Sequence, residues 1–468
     1  MAFPATAVLE CRVTGSDLNG GGFNSARGGT DYSQQDSAVA TGTVTSATTT
    51  VTATTAIFTS VMVGNYITDG TTWKEITAFT STTVVTVDSA PAWTTATINV
   101  GGALKSPAIA ETIVVAGNDV YYKQAGSVFT ISSATANVAN GRLNLNVSGT
   151  AIARIRRIGY TTNRVAGNSD TRPTFQASVG LSSNYIITFN NANSYNSLEN
   201  VIVDANAQTN SGGMTGSGRC NYSDNCLFKN AGGAINGVNL TNNFSLTRFE
   251  VTGCSGGTSG ALVINSAANF VFDGSVHDNA ARGIDYASGS GMIAFVNSYN
   301  NTGANGYGFF FQAAAALIFL NCNSYNNAQD GFYLFTANGL MQCVNCNSAN
   351  NAGFGYNHNS AQHCLSLYNC SGFSNTSGNY PTTGSTTPQV IQNFKTLSVS
   401  PFTAPGSGDF SLNNTAGGGA ACRAAGIPGV FPGGLTTGYL DIGAAQHADP
   451  AASGGIMLAN DFSGGYTG

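Results

Sequence analysis

The pair Asn-Cys falls at Asn321-Cys322, Asn345-Cys346 and Asn369-Cys370, a step of 24 residues taken twice. A longer motif keeps the same beat. Asn297-Ser-Tyr-Asn-Asn301, Asn323-Ser-Tyr-Asn-Asn327 and Asn347-Ser-Ala-Asn-Asn351 follow one another at 26 and 24 residues, and Ser275-Val-His-Asp-Asn279 lies 22 residues before the first. Weaker copies sit at Cys226-Leu-Phe-Lys-Asn230 and Glu250-Val-Thr-Gly-Cys254. Each copy is followed by glycine and apolar residues, as in Gly283-Ile, Gly306-Tyr, Gly331-Phe-Tyr and Gly353-Phe, with strand-like runs such as "MIAFV", "LIFL" and "LSLY" between them. A repeat of this length restricts the chain to stacked supersecondary units. No apolar face recurs at a helical period, which excludes helical solenoids, and the leucine framework of leucine-rich repeats is missing. Two or three short strands joined by Asn/Gly turns make one coil of a parallel β-solenoid.

Coils of such a solenoid stack about 4.8 Å apart, so like residues lie over like residues. The motif therefore predicts a structural ladder of Asn321, Asn345 and Asn369, bonded amide to amide, and a parallel stack of Cys322, Cys346 and Cys370. The ten cysteines show no zinc or disulfide spacing, and Cys343 and Cys346 of "CVNC" are three apart in a strand-like run, hence expected on opposite faces. The cysteines read as reduced, buried small hydrophobes. Composition agrees with an all-β chain. Only 8% of residues are charged, 42% are apolar and the net charge is -5, which excludes disorder and leaves too few Lys, Glu and Arg to clothe helical bundles. The net charge gives no reason to expect nucleic acid as a direct partner. No run of 18 apolar residues exists to cross a membrane as a helix, and "MAFPATAVLECRV" lacks the pattern of a signal peptide, so folding in a host or cell cytoplasm is expected.

The repeat resembles that of right-handed parallel β-helix proteins, the fold of pectate lyases and phage tailspikes, over residues 118–394. The strings "LNGGGFNSARGGTDYSQQDSA", "GGALKS" and "GYLDIGAAQH" resemble those of β-helix proteins encoded among bacteriophage structural genes. The resemblance implies right-handedness, roughly eleven or twelve coils, a capping helix before the first coil and a place in the virion. Ahead of the coils, the Thr-rich alternating stretch 41–100 predicts a small β-domain. The remaining expected parts are an N-terminal strand and arm over 1–40, a capping helix within 101–117, a C-terminal coil or cap over 395–447 and a Gly/Ala-rich flexible tail over 448–468.

Enzymes of this fold cleave polysaccharides, and glycoside hydrolysis needs two carboxyl groups across the scissile bond. Residues 140–400 hold nine acids, and the one local cluster is Asp273, His277, Asp278, Arg282 and Asp285. Asp273, Asp278 and Asp285 are the fallback catalytic candidates. Turn carboxylates are the competing reading, because Asp278 fills the slot of Asn300 and Asn326 in neighbouring copies. Both tryptophans, Trp73 and Trp93, lie in the 41–100 stretch, away from any coil groove. His358 and His363 are spaced like metal ligands but have no third donor, and neither a metal nor a cofactor is expected. The glycine strings do not join a strand to a helix as phosphate loops must.

Three successive phenylalanines, Phe309, Phe310 and Phe311, cannot all enter a core from one strand. With Tyr307, Phe332 and Tyr333 they are expected to form an oligomer interface, the alternative being a bend that turns two of them inward. Arg154, Arg156, Arg157, Arg164 and Arg172, opposed locally only by Asp170, form a candidate docking patch for an acidic shell or an anionic glycan, or a solvated rim. These features predict a non-enzymatic homotrimer on a phage virion surface that decorates or cements the capsid, with the major capsid protein or a tail component as partner. The alternative is a tailspike that binds or cleaves a host surface glycan; an adhesin is disfavoured by the missing export signal.

Overall fold

The computed structural model describes residues 4–124, 126–136, 141–162, 164, 171–190, 192, 194–255, 260–266, 269–312, 315–336, 339–359, 364–381, 389–427 and 440–447. It divides into two compact units, Met1–Leu262 and Val263–Gly468. No helix among these residues is long and apolar enough to cross a membrane.

In the first unit, the strand Ala7–Arg12 pairs antiparallel with Gly22–Asn24 and parallel with Asp119–Lys123. The threonine-rich stretch is a closed antiparallel barrel of Ala40–Ser46, Thr50–Ala53, Tyr66–Thr68, Trp73–Ser81, Val84–Val87 and Trp93–Val100. Alternation places Val44, Val51, Ile76, Val85, Trp93 and Ile98 inside it, and closure leaves no open edge. The helix Pro107–Ile113 follows, with proline in its first turn. Its Glu111 points inward, and the fully buried Arg157 donates to it at 2.7 and 2.6 Å and to Asn196 at 2.9 Å. Burying such a pair is tolerable only when both partners are satisfied, as they are here.

Coils then stack in parallel register. A first sheet runs through Asp119–Lys123, Ile155–Tyr160, Asn196–Glu199, Asn221–Asp224 and Phe244–Thr252, while a second carries Phe129–Ile131, Thr174–Ala177, Ile202–Asp204 and Leu227–Lys229. The third runs through Gly141–Leu145, Asn184–Phe189, Ser211–Gly216 and Val238–Leu240.

The second unit repeats this plan. Its first sheet includes Phe270–His277, Gly291–Tyr299, Ala316–Leu320, Leu340–Val344, Cys364–Tyr368 and Gln389–Gln392. The motif copies form its second sheet: Asn297 lies over Asn323, Asn347 and Ser371. Its third sheet comprises Arg282–Tyr286, Phe309–Phe311, Phe332–Leu334 and Tyr356–His358.

The turns between sheets explain the asparagines. Asn321, Asn345, Asn369 and Asn393 all have φ between 50° and 55°, the left-handed region that Asn tolerates best among residues with a side chain. Asp273 and Phe295 take the same bend in earlier coils, where the strand continues through it. After the second sheet a second bend uses Asp278, Asn300, Asn326 and Asn350, with φ from 51° to 57°.

Residues 395–447 were expected to close the last coil. Among the described residues of this stretch only Lys395–Thr396 adds a rung. The hairpin Phe402–Ala404/Asp409–Leu412, the short helix Gly419–Cys422 and the described residues beyond it instead fold back along the flank of the second sheet. There Phe402, Phe410, Leu412 and Ile442 pack on Tyr299, Tyr325, Ala349 and Phe373. The expected tail, 448–468, lies outside the described residues.

Candidate functional site

The asparagine and cysteine columns stand as columns, but the amides do more than stack. Asn345 Nδ2 reaches Asn321 Oδ1, and Asn393 Nδ2 reaches Asn369 Oδ1, each at 3.4 Å, a loose contact. Their shorter bonds go to the C-terminal arm. Asn321 donates to the Asp441 carbonyl at 2.9 Å, Asn369 donates to the Ala425 carbonyl at 2.9 Å, and Ile427 N–H donates to Asn345 Oδ1 at 2.8 Å. The tight amide ladder is built one bend later, from the second Asn of each "NN". Asn279 donates to Asn301, Asn301 to Asn327, Asn327 to Asn351 and Asn351 to Asn375, at 3.0, 2.9, 2.9 and 2.9 Å. The sequence signal was present, because those residues keep the same period as the Asn-Cys pairs.

Cys322, Cys346 and Cys370 are buried and repeat one geometry, each sulfur facing the carbonyl two residues before it and a carbonyl of the preceding coil at 3.3 to 3.5 Å. Burial pushes the Cys370 thiol well up. Cys343 and Cys346 both point inward, contrary to the two-faced expectation, because the left-handed Asn345 turns the chain between them. All ten cysteines are free thiols.

The phenylalanine run also needs correction. Phe309 and Phe311 enter the core, and Phe309, Phe332 and Tyr356 form an internal ring stack with centroids 4.6 and 5.0 Å apart. These positions, Phe332 included, are therefore not an interface. Phe310 points outward but is only 3% exposed. Arg282 lies over its ring at 3.6 Å, and Tyr307, Tyr333 and Phe335 surround it at 4.9, 5.4 and 5.4 Å. Tyr307 and Tyr333 stack at 4.9 Å and remain half-exposed, with Phe335 exposed beside them.

Polar groups frame this aromatic cluster on the third sheet. Asp285 accepts from Arg282 at 2.7 Å and from Gln312 at 2.6 Å; Asp330 accepts from Phe354 N–H at 2.5 Å and from Asn357 at 3.0 Å. Burial raises both carboxyls above their ordinary range, with these donors working against it. Burial likewise pushes the Tyr333 hydroxyl up to about 12. Flat rings beside fixed carboxylates and amides suit recognition of a neutral polyol or sugar ring.

Of the three fallback acids only Asp285 belongs to this site, and the three do not come together. Asp273 stands at the first bend and Asp278 at the second, whereas Asp285 lies within the third sheet. Asp278 is bound to His277 Nδ1 at 2.8 Å, and His277 stacks on Tyr299 at 4.5 Å. Left-handed geometry explains why Asp replaces Asn at both bends.

The expected arginine patch dissolves through acids remote in sequence. Arg157 belongs to the buried pair with Glu111, and Arg156 donates to Glu199 at 3.0 and 2.7 Å. Arg164 meets Asp31 at 3.0 Å and Glu10 at 3.6 Å, with its guanidinium over Tyr121. Arg154 lies over Tyr222 and donates to the Cys220 carbonyl, and Arg172 is half-buried. Asp170 is outside the described residues. Although burial opposes it, bonding from Arg156, Ser197 and Tyr222 holds Glu199 below its ordinary value. His358 contacts Gln389 at 3.0 Å, and His363 lies outside the described residues. Among the described residues no cluster of His, Cys, Asp and Glu has the makings of a metal site.

No protein-family description matches the sequence, and no curated protein does. Among solved structures, pectate lyase Pel9A is similar over 74% of this chain and 92% of its own, with a TM-score of 0.54 and 17% identity. At that identity the likeness concerns the fold: the chain is an all-β, pectate-lyase-like parallel β-helix with a small N-terminal barrel.

Proposed function

We propose that this chain is a structural component of a bacteriophage particle, a homotrimer that decorates or cements the capsid, and that it does not cleave glycans. The observation that carries the reading is how the acids of the coils are employed. Glu199, Asp204, Asp224 and Asp285 are each tied to a cation, Asp278 to His277, and Asp330 to a backbone amide and Asn357. A hydrolase needs one protonated acid and one free carboxylate across a sugar, and these carboxylates are instead spent on bends and on the rows between coils. Imaging purified particles tests it: many copies across the shell are expected, and a few copies at one vertex would overturn it. Incubation with host polysaccharide should release neither new reducing ends nor unsaturated sugars.

One observation favours a second reading, a tail protein that binds a host glycan: the stacked Tyr307 and Tyr333 beside Asp285 and Asp330. On that reading Tyr333→Ala weakens glycan binding at least about tenfold, the scale of one lost ring contact. Equal binding by the variant would remove it.

A further inference from the structure

The outer face of the first sheet in the second unit is unlike any other face of that unit. In the strand Ala316–Leu320, Leu317 and Phe319 point in while Ile318 is 38% exposed. Register extends this outward column through Phe270, Met292, Ile318, Gln342, Ser366 and Val390. The next outward column carries Leu320, Val344 and Tyr368. Neither column contains an Asp, Glu, Lys or Arg. The arm lies on the second sheet and the aromatic cluster on the third, while Ile318 and Val390 of the first column stand exposed and Ser366 between them is buried. Two exposed residues of the arm, Ile427 and Leu440, adjoin the Asn345 bend and widen the apolar surface.

We infer that this face is the surface through which copies of this chain associate, which rests on the trimeric reading above and moves its contact from the third sheet to the first. Its charge is the argument for a second copy as occupant. In a side-by-side trimer the residues of this face nearest the three-fold axis meet their own copies at the same height, so any ionised group there risks opposing itself. A face free of ionised side chains meets its own copy without that cost. Pitch agrees as well: outward residues repeating at the strand spacing are matched, rung for rung, by the same repeat on another copy. Six rungs of about 4.8 Å by five residues of about 3.3 Å give an uncharged face on the order of 400 Å², apolar except at Gln342 and Ser366. That is the size of patch that marks an interaction site, and about half of what each partner buries in a stable complex, as befits an apolar centre within a polar rim.

The test uses the full chain. In sedimentation from nanomolar to high micromolar concentration, the wild type is expected to associate. The double variant Ile318→Lys, Val344→Lys is expected to lose the associated species while keeping its circular dichroism, and Tyr333→Ala is expected to associate as the wild type does. Oxidative footprinting gives a readout without substitution: Met292 should be protected in the associated species and reactive on dilution. A monomer at every concentration, an unaltered double variant, or a Met292 protected even when dilute, covered by its own chain, would each overturn the assignment. Association through another face sinks this inference and leaves the particle reading standing; a chain absent from purified particles does the reverse.

Discussion

Asn326 and Asn327 are neighbours with opposite duties. Asn326 sits at φ 51°, where glycine is equally at ease, and its amide makes one exposed bond to Asn300. Asn327 is buried within the ladder and bonds to residues of both adjoining coils. We therefore expect Asn326→Gly to change stability by less than about 1 kcal/mol, and Asn327→Ala to cost about 3 kcal/mol because its partners are left unpaired. Chemical denaturation of the two variants separates them. The acids supply a pH test of opposite signs. Glu199, held low, contributes stability above the ordinary carboxyl range that is lost as pH falls through its depressed value, so Glu199→Gln should flatten the acid limb of a melting-temperature profile. Asp285, raised by burial, contributes most below that range and loses its contribution as pH rises through its raised value, so Asp285→Asn should flatten the profile there instead.

At the scale of elements, the arm depends on glycine at one contact. Gly443 has φ 115°, and a Cβ there would stand 2.4 Å from Asn347 Nδ2 and 2.6 Å from Asn323 Oδ1. Gly443→Val should therefore lift the arm, raising amide exchange over residues 440–447 at least about tenfold, or about 1.4 kcal/mol. The strand Phe332–Leu334 should stay protected in the same sample. Much of the coil was legible because each element writes its own rule: Asn at left-handed bends, glycine after them, and apolar alternation in the strands. The period alone identified which residues lie over which. It could not show that the tight ladder belongs to the second Asn of each pair, since both columns share one repeat. The arm was illegible for a different reason: it binds through backbone groups and through Phe402, Phe410, Leu412 and Ile442, whose spacing follows no repeat. The phenylalanine run misled because strand alternation assigns direction but not cover, and Phe310 is covered by Arg282, from the preceding coil.

For the whole molecule, the barrel and the coils keep separate cores. Ile76 is fully buried in the barrel's own core cluster, against which Tyr32 and Val39 of the preceding segment also pack. We expect Ile76→Ala to cost about 3 kcal/mol in the barrel. Calorimetry should then show one transition moved downward while the amides of the third sheet in the second unit keep their protection. The misread arginine patch teaches the same lesson at this scale. Arg156, Arg157 and Arg164 cluster in sequence, yet their acids Glu199, Glu111 and Glu10 arrive from as far as the first strand, and only the fold brings them together. Finally, of the ten thiols Cys220 alone is exposed, with Cys364 half-covered and the rest buried. A maleimide dye or a small gold cluster should therefore attach first at that single place, providing a visible marker for tracing this polypeptide inside a larger assembly without altering a residue.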